Sequence, residues 1–220
     1  VTRIGVRIQH HPSRAELLPL LLKNLKGLTT EVVTHESDPP SPWAGYQRCL
    51  TDIPHDLTHL LIVQDDTVPS PGFVKAVRQI AKAHPDAPVC LFLGRLPRDA
   101  SIEARRALAD DRRYVRMPWR SFMPIVAVLW PRHKAVEFIE WTQTNAVMPG
   151  IRGEPRSDDA VAGRWKSVTR QTVLACVPSI IEHPDEADST IGKRSRHSKA
   201  AARVAAFIAE DASAYDWSKT

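Results

Sequence analysis

Glycine is scarce where a phosphate-cradling loop would need it. The chain has nine glycines in 220 residues, and Gln9-His10-His11-Pro12-Ser13, after its first apolar stretch, contains none. A glycine-rich loop after a first strand is thereby excluded, which counts against a nucleotidyltransferase. Cysteine is rarer still. Cys49, Cys90 and Cys176 are too widely spaced for a disulfide framework or a CxxC metal pattern, so a reducing cytoplasm is the expected compartment. No run approaches the roughly 20 apolar residues that cross a bilayer. Residues 1–8 alternate as a strand does, unlike the apolar centre of a signal peptide. A soluble protein without membrane association is expected. Neither sign of charge dominates: the net charge of +5 suggests an anionic partner only mildly.

What the chain has is an ordinary apolar fraction of 43%, enough in 220 residues for one domain with a real core. Its 18 prolines punctuate turns throughout. Strands are expected at 3–9, 31–34, 58–63 and 88–93. Helices are expected at 15–25, capped by Ser13 and ended by Gly27, then at 43–51 and 73–84. That alternation predicts an α/β fold with a mostly parallel central sheet flanked by helices. The second half is less regular. It reads as helix 101–110, strand 125–130, helix 132–143, a short helix 158–165, strand 172–177 and a last helix from about 199 to 211. No repeat or clean boundary divides the chain.

The densest chemical signal is the buried run 58–63 ending on Gln64-Asp65-Asp66. Ligands of open α/β sheets gather at the carboxyl ends of strands. Two adjacent acids there need water, a cation or a basic partner. A divalent ion carrying a phosphate is the economical explanation, and a solvated turn is the plain alternative. Ser157-Asp158-Asp159 likewise reads two ways. It is either a helix cap with acids in the first turn or a base for a poorly nucleophilic hydroxyl.

These features, with Val177-Pro178-Ser179-Ile180-Ile181-Glu182-His183-Pro184 and the basic first loop, occur in an order that resembles nucleotide-sugar glycosyltransferases of the GT-A type, in particular small bacteriophage-encoded ones. The resemblance covers nearly the whole chain and implies a single domain, with residues 1–95 binding nucleotide and 96–220 serving acceptor and catalysis. Gln64-Asp65-Asp66 matches the family's DXD position, with Gln64 replacing the first acid. The resemblance implies Asp66 as metal ligand, Asp65 as ligand or ribose contact, and His183 as completing the site for Mn2+ or Mg2+. It implies Asp159, then Asp158, as the catalytic base, with a nucleoside-diphosphate sugar, a UDP-sugar, as donor. Transfer with inversion is expected. Arg14, Arg48, Ser189 and Lys193 with Arg194 are candidates for the donor's phosphates. Gln9, His10, Gln64, Glu36 and Asp38 lie where such a fold receives the nucleoside.

The acceptor signal is a pair of basic stretches. Between Arg95 and Arg120 stand eight arginines against four acids, and between Lys193 and Arg203 five basic residues and no acid. Tyr114, Trp119 and Arg120 suit a polyanion with exposed bases. A hydroxymethylated pyrimidine in phage DNA, its base exposed by flipping, is one expected acceptor; a virion protein or a glycan is another. Solvated arginines paired with Asp110 and Asp111 are the plain reading. A non-catalytic nucleic-acid-binding protein is the expectation from a different class.

Overall fold

A computed structural model describes residues 1–37, 41–94, 98–118, 123–145, 157–184 and 204–219. Its strands are β1 (Ile4–His10), β2 (Thr29–Thr34), β3 (His59–Gln64), β4 (Val68–Pro69), β5 (Val89–Cys90), β6 (Tyr114–Arg116), β7 (Ala127–Pro131), β8 (Leu174–Cys176) and β9 (Ile181–Glu182). Seven form one mixed sheet in the order β2-β1-β3-β7-β5-β8-β6, and β4 pairs with β9 separately. β1 is parallel to both β2 and β3, and β5 is parallel to β8. β7 is antiparallel to both β3 and β5, and β6 to β8. Five strands, β1, β2, β3, β5 and β8, therefore point one way, as the alternation in the sequence predicts. β7, from the second half of the chain, lies between β3 and β5.

Helices α1 (Leu18–Asn24), α2 (Pro42–Cys49), α3 (Phe73–Ala83), α4 (Arg98–Ala109), α5 (Arg132–Thr144) and α6 (Asp158–Val168) cover the sheet. The unbroken apolar run in β3 follows from having helices on both faces. With a period of two, Leu60 and Ile62 join Trp43, Tyr46, Trp130, Phe138 and Trp165 on one face, while Leu61 and Val63 join Ile8, Val77, Ile80 and Trp217 on the other. All three cysteines are free and buried. No described helix is long and apolar enough to cross a membrane.

Three expectations need correction. The single helix from Ser13 is a 3-10 helix (Pro12–Leu17) followed by α1, and its cap is His11, whose side chain accepts from the Ser13 amide. Pro19 lacks the amide that an uninterrupted α-helix requires, so it starts a new helix. The last expected helix is not formed over its described part, 204–211. Ala205 bridges Gly94, and Ile208 bridges Ser179, so alanine's helix propensity yields to backbone pairing with the sheet's rim. Strand 88–93 pairs in a ladder only at 89–90, although the Leu91 amide still donates to the Ala127 carbonyl. β6 was not anticipated, being three residues long.

The residues 204–219 strap is held by Trp217, fully buried, whose carbonyl accepts from the Tyr114 hydroxyl and whose indole donates to Ala212. Gly72 admits the strap: its φ is +73°, and a Cβ there would stand 2.5 Å from Asp211 Oδ1.

The core layer formed by Trp43, Tyr46, Trp130, Phe138 and Trp165 holds a buried polar contact. Trp130 Nε1 donates to the Tyr46 hydroxyl at 2.8 Å, and both side chains are completely buried. Tyr46→Phe leaves a buried indole N–H without that acceptor. Urea unfolding should register a loss of about 1–3 kcal/mol, with an unchanged m-value.

Candidate functional site

Asp65 and Asp66 follow β3 and are only 2% and 4% exposed, yet their surroundings differ. Asp65 Oδ1 accepts from Arg14 Nη1 at 2.9 Å. Its Oδ2 meets His10 Nδ1 at 2.9 Å and accepts the His11 amide at 2.8 Å. Both oxygens are committed to the first loop. Asp65 thus clamps this loop to the end of β3. His10, buried beside it, is part of that clamp.

Asp66 is differently furnished. Its Oδ2 lies 2.8 Å from Arg14 Nη1 and 3.1 Å from His183 Nε2. Its Oδ1 is buried and has no partner among the described residues, and the same holds for His183 Nδ1. Burial by itself would raise the Asp66 carboxyl. The hydrogen bond and charge of His183, with Arg14 behind, outweigh it and hold the group below its ordinary value. The chain brings position 183 to position 66 through the antiparallel β4–β9 pair, in which Val68 faces Glu182. Glu182 Oε1 then accepts the amides of both His183 and Ala205, which anchors the strap beside the histidine.

The pair fits a hard divalent ion in a limited way. One carboxylate and one imidazole are suitable donors, and Asp66 keeps a buried oxygen to offer. Among the described residues no group of three or more His, Cys, Asp or Glu side chains could hold a metal. An ion held here would take its remaining ligands from a substrate phosphate and water, as magnesium-type sites with few protein ligands do.

Asp158 opens α6 and points back at the sheet. Its Oδ2 accepts from Gln64 Nε2 at 3.1 Å and from Gln9 Nε2 at 3.4 Å, and its Oδ1 accepts the Asp159 amide at 3.0 Å. Ser157 occupies the cap position but makes no side-chain capping bond. Burial, then the neighbouring Asp159 charge, pushes the Asp158 carboxyl up to about 7. Asp159 is less enclosed, and burial raises its carboxyl as well.

The site therefore gathers Gln9, His10, Arg14, Gln64, Asp65, Asp66, Asp158, Asp159 and His183 at the carboxyl ends of β1 and β3. It does not gather all that was expected. Glu36 is exposed. Arg48, also exposed, reaches the Thr34 carbonyl at 3.4 Å. Tyr114 is corrected as an acceptor contact. It is 5% exposed, with its hydroxyl spent on Trp217 and its ring against His84. Asp38, Trp119, Arg120, Ser189, Lys193 and Arg194 lie outside the described residues. Two contributors had no sequence signal: the His11 amide on Asp65, and Glu182 as anchor of the strap.

No protein-family model matches the chain, and no curated protein sequence matches it. Among solved structures it is similar to a Drosophila β-1,4-galactosyltransferase 7, crystallised as a mutant in complex with manganese, UDP-Gal and xylobiose. The superposition has a TM-score of 0.50 at 8% identity, covering 83% of this chain and 71% of that one. At that identity the likeness establishes architecture: the chain has a GT-A-like α/β fold.

Proposed function

We propose that this protein is a glycosyltransferase that uses Mn2+ or Mg2+ to move a sugar from a nucleoside-diphosphate donor, a UDP-sugar, onto an acceptor hydroxyl. The observation that carries this reading is the meeting of Asp66 with His183, 117 residues apart in sequence, at 3.1 Å and with a carboxylate oxygen to spare. The manganese and UDP-Gal in the galactosyltransferase complex support the same ion and donor class here. Its xylobiose supports a sugar hydroxyl as acceptor.

The chain's own groups divide the work. Arg14 brings positive charge to the acidic pair, where the donor's diphosphate would lie. A divalent ion bound at Asp66 and His183 would offset the negative charge that gathers on the departing nucleoside diphosphate. Asp158 takes the acceptor's hydroxyl proton as that oxygen bonds to the anomeric carbon and the carbon–diphosphate bond breaks, which inverts the centre. The resemblance ranks Asp159 ahead of Asp158 for this role; the geometry favours the reverse order. Asp158 is the better supplied, because two amides orient it and its affinity for a proton is matched to neutral pH.

DNA as acceptor gains little from the basic stretch. Arg112 is paired with Glu103 and Asp110, Arg106 with Glu103, and Arg113 with Asp111, while Tyr114 is sealed inside. A glycan hydroxyl is the acceptor we favour over DNA, a virion protein, or a purely nucleic-acid-binding role.

Donor binding is checked by thermal shift. UDP and UDP-sugars with Mn2+ should raise the melting temperature by mass action, and Asp66→Asn should remove the manganese-dependent part. Absence of any shift across a panel of nucleoside diphosphates overturns the donor assignment.

Asp158→Asn should lower transfer about 10²- to 10⁴-fold, while the wild-type rate falls as pH drops below about 7. The same substitution carries a stability sign. Folding lifts the Asp158 carboxyl from 3.8 to about 7, so the native state holds more protons in that window and wild-type stability declines as pH rises through it. Melting curves should therefore show Asp158→Asn more stable than wild type at pH 8, with the gap closing towards pH 4.

A further inference from the structure

We infer that Gln64 is a positioning residue for the Asp158 carboxylate, acting with Gln9 as a two-amide bracket, and that a neutral amide at position 64 is required there. The purpose of the bracket rests on the transfer reading above; its existence does not. Gln9 and Gln64 are in register on the parallel strands β1 and β3, so their side chains leave the sheet on the same face. Gln64 Nε2 contacts both Asp158 Oδ2 at 3.1 Å and Gln9 Oε1 at 3.4 Å. Gln9 Nε2 reaches the same Oδ2 at 3.4 Å and donates to the Pro42 carbonyl at 2.9 Å. Gly45 on α2 leaves room for this arrangement, since a Cβ there would stand 3.3 Å from Gln9 Nε2. The bracket is thus fixed from β1, β3 and the start of α2 before any substrate arrives.

Its charge is as informative as its geometry. Among the described residues, the ionisable groups facing Asp158 are Asp159 from its own helix and Tyr46 and Cys49 from α2. Burial keeps Cys49 protonated, pushed up to about 12, and raises Tyr46 well above its ordinary value. From the sheet Asp158 receives only amides. An acid at position 64 would set a second negative charge about 3 Å from Asp158, and two carboxylates at such a distance do not both ionise. An amide instead donates a hydrogen bond that favours the ionised form. Position 64 also lies two residues before Asp66, so the bracket ties the placement of the proton acceptor to the end of the strand that carries Asp66.

The test reads Asp158 directly. Protein labelled with 13C at aspartate carboxyls, ligand-free, is titrated by NMR, with the Asp158 signal assigned through Asp158→Asn. Gln64→Leu should move the midpoint upward by about one unit, because a hydrogen bond to the charged form is lost. Gln64→Glu should move it further, with the two acids titrating as a coupled pair. The acid limb of the transfer rate should move with the midpoint. A role confined to packing would lower the melting temperature and leave the midpoint in place, and that result overturns the proposal. If Gln64→Leu does not fold, the nearly isosteric Gln64→Glu supplies the same reading. Shifted midpoints in a protein that transfers no sugar from any nucleotide donor would sink the transferase reading and leave the bracket standing. Unmoved midpoints and unmoved pH profiles in active variants would sink the bracket alone.

Discussion

Two adjacent carboxylates kept almost dry at the end of a strand are the constraint around which this molecule is organised. Asp65 and Asp66 cannot stay ionised in that setting without close positive or hydrogen-bonding partners, because the desolvation of each costs several kcal/mol. Arg14 answers both with a single nitrogen, 2.9 Å from Asp65 Oδ1 and 2.8 Å from Asp66 Oδ2. The remaining partners are then apportioned unequally. Asp65 is saturated by His10 and the His11 amide. Asp66 gains only His183 and retains an oxygen with no described partner. One acid closes the first loop onto the sheet; the other keeps a buried oxygen with no partner among the described residues. Breaking a buried ionic group of this sort leaves an uncompensated charge, so the loop, the strand end and the histidine are mutually dependent.

The fold delivers these groups by distinct routes. β1 and β3 bring the first loop and the acids together through plain parallel pairing. His183 arrives from far along the chain by a two-residue ladder, β4 with β9. The strap then holds that ladder from behind. Ser70 donates its amide to Ile180 within the ladder, and from the strap Ala205 donates to Glu182 and Ala212 to Pro71. Trp217, buried and hydrogen-bonded at both its indole and its carbonyl, pins the strap's far end. A residue more than 30 positions from His183 therefore helps set where the histidine lies. Asp158 arrives by a third route, at the first turn of a helix whose Val161, Ala162 and Trp165 are buried under the sheet.

Much of this was legible in the sequence, and the failures have physical causes. The buried strand at 58–63 was readable because an apolar run bounded by polar residues leaves few other options. The joining of Asp66 to His183 was implied by resemblance, since nothing in their spacing requires it. The resemblance assigns Asp66 to the metal and Asp65 to the metal or ribose, but the clamping of the first loop by Asp65 was not legible: neighbours on a chain leaving a strand point in different directions, and only the loop's position decides which one it engages. Gln64 looked like a lost charge. Its meaning depends on register with Gln9, which no one-dimensional pattern records. Tyr114 was misread because arginines flanking an aromatic look alike on a surface and at the edge of a core, and β6 proved to be the last strand of the sheet. The alanine-rich 204–211 stretch was misread because propensity is a small term beside backbone groups awaiting partners on a sheet's rim.

The electrostatic profile across the site gives the parts a common logic. Asp66 is held below the ordinary carboxylate range by His183 and Arg14 against the pull of burial, so it stays charged under any condition in which the protein is folded near neutrality. Asp158 is pushed the other way, to about 7, by burial and by Asp159. Environments that drive similar acids apart are how one site obtains both a fixed charge and a proton acceptor. Between the two positions stands Gln64, neutral and hydrogen-bonded to Asp158, which prevents a run of three acids from sharing one field. Had position 64 been acidic, a second negative charge would have stood about 3 Å from Asp158, and two carboxylates at that distance do not both ionise. On the transferase reading proposed above, the amide at position 64 is consistent with Asp158 as the base, because an acid there would oppose its ionisation.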